Sequence, residues 1–170
     1  MHIFWKDLKR YGFCDKKKFL IYFFKYKEVR FLFWYRTDCF ISKLMLRKYC
    51  NKYGLEIFSK NIGEGLFICH PIAINVNPKV VIGKNCNIHK GVTIGMENRG
   101  ARKGAPVLGN DVWIGVNSTV VGKINIGNDV LIAPNTYVNC DVPSHSIVLG
   151  NPCKIIHKEN ATEKYINNHI

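Results

Sequence analysis

Three of the six histidines stand in distinctive local sequence: His70 in Gly65–Pro71, His89 in Ile88–Gly95 and His145 in Val142–His145. A neutral imidazole can take the proton of a hydroxyl near neutral pH, chemistry open to a histidine whose side chain reaches a groove. His70 lies two places after Ile68, off the run of apolar positions, where a side chain can reach a groove rather than a core. His89 follows Ile88 and lies near His70; zinc would need a third histidine suitably placed, and the sequence offers none, so no metal is expected. His145 falls in a Val-Pro-Ser-His turn and reads as structural. The seven cysteines (14, 39, 50, 69, 86, 140 and 153) contain no Cys-x-x-Cys pair and read as reduced thiols of a cytoplasmic protein. In that compartment the Asn160-Ala161-Thr162 glycosylation pattern has no meaning.

The elements that position these residues show a repeat. From Leu108 onward aliphatic side chains recur every six residues, at Leu108, Ile114, Val120, Ile126, Ile132 and Val138. Four places after each stand Val112, Ser118, Ile124, Val130, Thr136 and Val142, all small or β-branched. Neither the helical period of about 3.6 nor the strand period of about 2 gives such a lattice. A three-sided solenoid does, with one inward side chain per flat face and glycine easing the bends. The same phase runs through Ile62, Ile68 and Ile74, then Ile82, Ile88 and Ile94. Eight residues separate Ile74 from Ile82, which predicts a two-residue bulge between them. Fourteen separate Ile94 from Leu108, two hexads plus two, and the polar stretch 95–107 reads as a loop leaving the solenoid.

Residues 1–54 have another composition. They hold 14 Lys/Arg against 4 Asp/Glu and 16 of the 21 aromatic residues, so most of the +13 net charge sits there. Leu20, Phe23, Phe24, Phe31, Trp34 and Tyr35 recur at helical steps, with Gly54 as a stop. Lys25, Lys27, Glu28 and Arg30 interrupt the most apolar stretch and exclude a membrane span there, and early charges exclude a signal peptide. A solvated basic face over an aromatic core is the first reading, contact with an anionic membrane surface the second. Nucleic acid is not expected, because no recognition motif appears.

The hexads, Gly65–Pro71, Ile88–Gly95 and the closing Gly150-Asn151-Pro152-Cys153-Lys154-Ile155 together resemble the hexapeptide-repeat acyltransferases. Within these the chain is similar to the serine O-acetyltransferases and to acetyltransferases of capsule and exopolysaccharide synthesis. The resemblance covers about residues 55–157. It implies a mostly β fold, a left-handed parallel β-helix behind a short α-helical N-terminal segment. It further implies a homotrimer binding acetyl-CoA, with no metal required. His70 matches the family's general base. Gly95, Gly115, Val116, Ala133 and Pro134 match positions lining the acetyl-CoA groove, with Lys154 as a phosphate contact.

The departures bear on the acceptor. Serine acetyltransferases carry an Asp before this histidine, where Cys69 stands, and another fifteen residues earlier, where Leu55 stands with Glu56 as the nearest acid. Their Arg-His pair for the serine carboxylate is replaced by Gly104 and Ala105. The expected acceptor is therefore a sugar hydroxyl, free or lipid-linked, in a pocket formed by Glu56, Cys69, His89 and Ala105. The serine reading would need Glu56 or an N-terminal residue to replace the missing acids, and a third reading is a silent scaffold or membrane-associated partner. The expected organisation is a helical segment over 1–54, a β-helix over 55–157 and a polar tail over 158–170. The expected location is cytoplasmic, with the inner membrane face as a docking place.

Overall fold

The structure, a computed structural model, describes residues 1–170. The chain opens with α1 (His2–Arg10), a single 3-10 turn (Lys16–Lys18), α2 (Phe19–Lys25), α3 (Lys27–Arg36) and α4 (Phe40–Tyr53). Gly54 then turns left-handed, with φ +59°, and delivers the chain to β1 (Leu55–Ile57). There follow β2 (Phe67–Cys69), β3 (Ile74–Val76), β4 (Val81–Ile82), β5 (Asn87–His89), β6 (Thr93–Gly95) and β7 (Val107–Leu108). The remainder are β8 (Val112–Ile114), β9 (Thr119–Val121), β10 (Asn125–Ile126), β11 (Val130–Ile132), β12 (Tyr137–Val138), β13 (Ser146–Leu149) and β14 (Lys154–His157). They stack as three sheets, β1-β3-β6-β9-β12, β4-β7-β10 and β2-β5-β8-β11-β13-β14, with every pairing parallel except β13 with β14. The fold is mostly β, a left-handed β-helix with helices at its N-terminal end.

Inward side chains form one column per face. Ile57, Val76, Ile94, Val120 and Val138 stack on the first. Ile62, Ile82, Leu108, Ile126 and Val142 stack on the second. Ile68, Ile88, Ile114, Ile132 and Val148 stack on the third. All are buried, and each such side chain contributes about 1.5–3 kcal/mol by leaving water.

The register corrects two expectations. Val76, not Ile74, is level with Ile94, so the two-residue bulge falls between Ile68 and Val76, around His70–Ala73, and not between Ile74 and Ile82. Leu108 is level with Ile82, one face after Ile94. The 95–107 segment is therefore an eight-residue excursion on a single face step, not two hexads plus two. Within it Glu97 and Gly104 exchange backbone hydrogen bonds of 2.9 Å, and Lys123 N–H donates to the Arg102 carbonyl at 2.8 Å.

The helices share one continuous core with the solenoid, Phe4, Leu8, Val29, Phe31 and Leu32 joining the lattice residues. Asp7 and Arg36 form the polar centre of that contact. Arg36 Nε donates to Asp7 Oδ2 at 2.7 Å, and its other nitrogens reach the carbonyls of Ile62 and Gly63 at 2.8 and 2.7 Å. Asp7 also accepts the N–H groups of Gly65 and Leu66 at 2.8 and 3.0 Å. Burial pushes the Asp7 carboxyl above its ordinary value, against Arg36 and the two amides. Residues 158–170 do not trail away: Ile166 is buried, Thr162 donates to Asp129, and the Ile170 N–H donates to Asn85. No helix is long and apolar enough to cross a membrane.

Asp7→Ala should cost about 3–5 kcal/mol, because it leaves a buried guanidinium uncompensated. The double variant Asp7→Leu/Arg36→Met should recover less than half, since the Gly65 and Leu66 amides and the Ile62 and Gly63 carbonyls lose their partners. Denaturant midpoints for the three proteins check this.

Candidate functional site

The bulge carries His70 out of the lattice. Its backbone is left-handed, φ +55°, and its side chain is exposed. Intrachain hydrogen bonds engage the rings of His89, His145 and His169, and none engages His70. The strand that leads to it is fixed from outside the solenoid: the Tyr11 hydroxyl accepts the Ile68 N–H at 2.7 Å and donates to the Ile68 carbonyl at 3.1 Å. Burial drives the Tyr11 phenol far above its ordinary value, so it stays protonated and able to donate. Helix α1 thereby positions the segment two residues before His70.

One coil further, His89 is level with Cys69. Its Nδ1 lies 2.9 Å from the Ile114 carbonyl, which can only accept, so Nδ1 carries the proton and Nε2 keeps its lone pair. Burial lowers its pKa, and the nearby His70 charge lowers it further, against the Ile114 bond. His89 is therefore held neutral. Its ring lies 4.5 Å from that of Trp113, and both line a cavity of about 350 Å³ with Arg10, Tyr11, Phe67 and Tyr165.

The same corner continues upward through Gly115, Val116, Ala133 and Pro134 on the next two coils. A Cβ on Gly115 would lie 2.6 Å from the Pro134 nitrogen, so the coils touch there and only glycine fits. The N–H groups of Gly115 and Ala133 already donate to Ile132 and Val148 at 2.8 Å. These residues offer a smooth surface rather than free donors. Gly95 stands apart, beside Val121 on the first sheet, and Lys154 lies exposed on β14.

The expected acceptor residues do not form one cluster. Cys69 and His89 share the corner, whereas Glu56 accepts from Asn75 at 2.7 Å and from the Cys50 thiol at 3.4 Å on the first sheet. Ala105 packs on the core at the base of the excursion, and Leu55 is buried. Sequence reasoning missed Glu28 of α3. Burial raises the Cys69 thiol pKa, and the charge of the Glu28 carboxylate raises it further. No spacing in the sequence announces this influence of α3 on the residue before His70.

Fold and corner define a left-handed β-helix of hexapeptide repeats. Residues 105–140 match the family model described as bacterial transferase hexapeptide (six repeats). The chain is similar to the serine acetyltransferase of Synechococcus elongatus, 35% identical over 106 residues, 62% of this chain and 43% of that protein. It is 37% identical to the Helicobacter pylori serine acetyltransferase over 107 residues, 62% of this chain and 63% of that one. This chain thus spans less than two thirds of the length of either relative. Among solved structures, Neisseria gonorrhoeae serine acetyltransferase in complex with serine superposes with a TM-score of 0.72 at 23% identity, covering 91% of this chain and 67% of that one. The soybean serine acetyltransferase apoenzyme gives 0.61 at 27% identity, covering 76% and 54%.

The lowered His89 pKa has a stability consequence. The unfolded chain takes up the proton first, so stability is full above about pH 6.5 and is lost as pH falls through the folded value. His89→Gln should remove that loss, and denaturant midpoints of both proteins at about pH 7.5 and 5.5 check it.

Proposed function

We propose that the chain is an acetyl-CoA-dependent O-acetyltransferase with His70 as general base. The observation that carries this is the bulge, which sets an exposed imidazole free of intrachain hydrogen bonds on the corner that continues through Gly115 and Ala133. His70 takes the proton of the acceptor hydroxyl as its oxygen attacks the thioester carbonyl. Collapse of the tetrahedral oxyanion forms the ester and expels the CoA thiolate, which recovers the proton from the imidazolium. Neutral His89 helps by placing no second positive charge beside that imidazolium. Acetyl-CoA fits the smooth Gly115–Pro134 surface through shape, with Lys154 available to a phosphate as a point charge. A homotrimer is the assembly this reading carries.

The relatives shift the acceptor from a sugar to serine, since those reported are serine acetyltransferases. Their names give no support to a lipid-linked saccharide or a membrane surface. On this reading Glu28, whose charge acts on Cys69, is the carboxylate that would stand in for the acids missing at Leu55 and Cys69. A sugar hydroxyl remains the second reading because Gly104 and Ala105 provide no clamp for a carboxylate, while an aromatic cavity adjoins His89.

Free-thiol release from acetyl-CoA with serine and with a sugar panel tests both. His70→Ala should lower kcat by roughly 10² or more, and Glu28→Gln should raise the KM for serine while leaving that for acetyl-CoA unchanged. Turnover with sugars alone would select the second reading. Absence of acetyl-CoA binding would leave the scaffold.

A further inference from the structure

Two cysteines towards the C-terminal end of the solenoid stand sulfur to sulfur. Cys140 follows β12, Cys153 precedes β14, and their Sγ atoms lie 3.7 Å apart. Cys140 is exposed, while Cys153 is half-buried against the core. The backbones on either side are already tied together. Tyr137 N–H donates to the Gly150 carbonyl at 3.2 Å, and Gly150 N–H donates to Thr136 Oγ1 at 3.3 Å. Closing the pair to the disulfide length of about 2.05 Å therefore asks for side-chain rotation rather than movement of strands. No other pair among the seven cysteines is in such contact.

The geometry points to Cys140 and Cys153 as a redox modification site, a dithiol that a low-molecular-weight disulfide of the glutathione type converts to an intramolecular disulfide. The exposed Cys140 thiolate attacks one sulfur of the small disulfide, forming a mixed disulfide and releasing one thiolate. The Cys153 thiolate then attacks the Cys140 sulfur, forming the protein disulfide and releasing the second. Two protein thiols are oxidised and one small disulfide is reduced to two thiols, which take up the two protons. Burial, the hydrogen bond with Cys153 and the Asp141 charge hold the Cys140 thiol above its ordinary pKa, with Arg102 opposing. Attack is accordingly slow at neutral pH and quickens as pH rises.

The bond would close the loop that contains β13 and Gly150–Pro152, fixing the closing strand β14 to the last coil. A loop of this length is stabilised through the unfolded state, so the oxidised protein should melt higher by roughly 5 °C or more. The test incubates the reduced full chain with oxidised glutathione at about pH 8.5, blocks remaining thiols with iodoacetamide and maps the peptides. The expected result is a linked Cys140–Cys153 peptide, the loss of two alkylatable thiols and a dithiothreitol-reversible rise in Tm. Cys140→Ser and Cys153→Ser should each fold as the wild type and lose the linkage. A stable glutathione adduct on Cys140 with Cys153 still alkylatable would overturn the proposal. So would linkage through Cys14 or Cys39, or a dithiothreitol-reversible rise in Tm as large in Cys153→Ser as in the wild type.

Discussion

Every strand in the solenoid is two to four residues long, and it satisfies its amides only by lying on the coil below and under the coil above. That constraint governs the whole chain, because the first and last coils lack one neighbour and an unpaired buried amide costs about 1–3 kcal/mol. At the N-terminal end the missing neighbour is replaced by side chains of the helices. Asp7 accepts the Gly65 and Leu66 amides, Arg36 donates to the Ile62 and Gly63 carbonyls, and Tyr11 serves both groups of Ile68. At the other end β14 turns antiparallel onto β13. The last thirteen residues then run back along the stack, held at Asp129 and ending at Asn85, with Asn168 donating to the Arg10 carbonyl. The two caps touch each other.

The position of His70 follows from the same constraint. Extra residues can leave a stacked coil only at a corner, since on a face they would break ladders above and below. Both insertions obey this: the bulge around His70 lies between β2 and β3, and the excursion between β6 and β7. The bulge sits in the first coil, where helices rather than a lower coil supply the support. The chain thus places the unengaged imidazole of His70 where an insertion is easiest to accommodate, with the neutral His89 level with Cys69 on the next coil.

The repeat was legible because one inward residue per face is a strong periodic demand, met from Leu108 to Val138 without exception. The bulge was misplaced for an equally physical reason. Ile74 and Val76 are both apolar and both fully buried, so hydrophobicity could not tell which one is level with Ile94; only the backbone register could. The fourteen residues after Ile94 divide equally well as two hexads plus two or as one face and an excursion, and the choice depends on the coil-to-coil pairing of Leu108 with Ile82. Asp7 and the strap of residues 158–170 were illegible because their partners lie 29 to 158 residues away, fixed by docking and not by spacing.

The basic N-terminal segment invites a partner on composition alone, and the structure changes what that composition means. Arg10 and Arg36 point inward: Arg10 donates to the Asn85 carbonyl and to Asn87, and Arg36 to Asp7. Lys6 pairs with Glu64 at 2.7 Å, and Arg30 donates to the Phe23 and Phe24 carbonyls at the end of α2. Lys16, Lys25, Lys27 and Lys52 lie over the rings of Trp5, Tyr26 and Tyr53. Cation and aromatic, which read in sequence as the two halves of a binding surface, are here largely each other's partners. Net charge still bears on solubility and encounter, but Arg36, one of the residues that supply it, closes the first coil. The N-terminal segment acts on the strand before His70 through Tyr11, by position rather than by field.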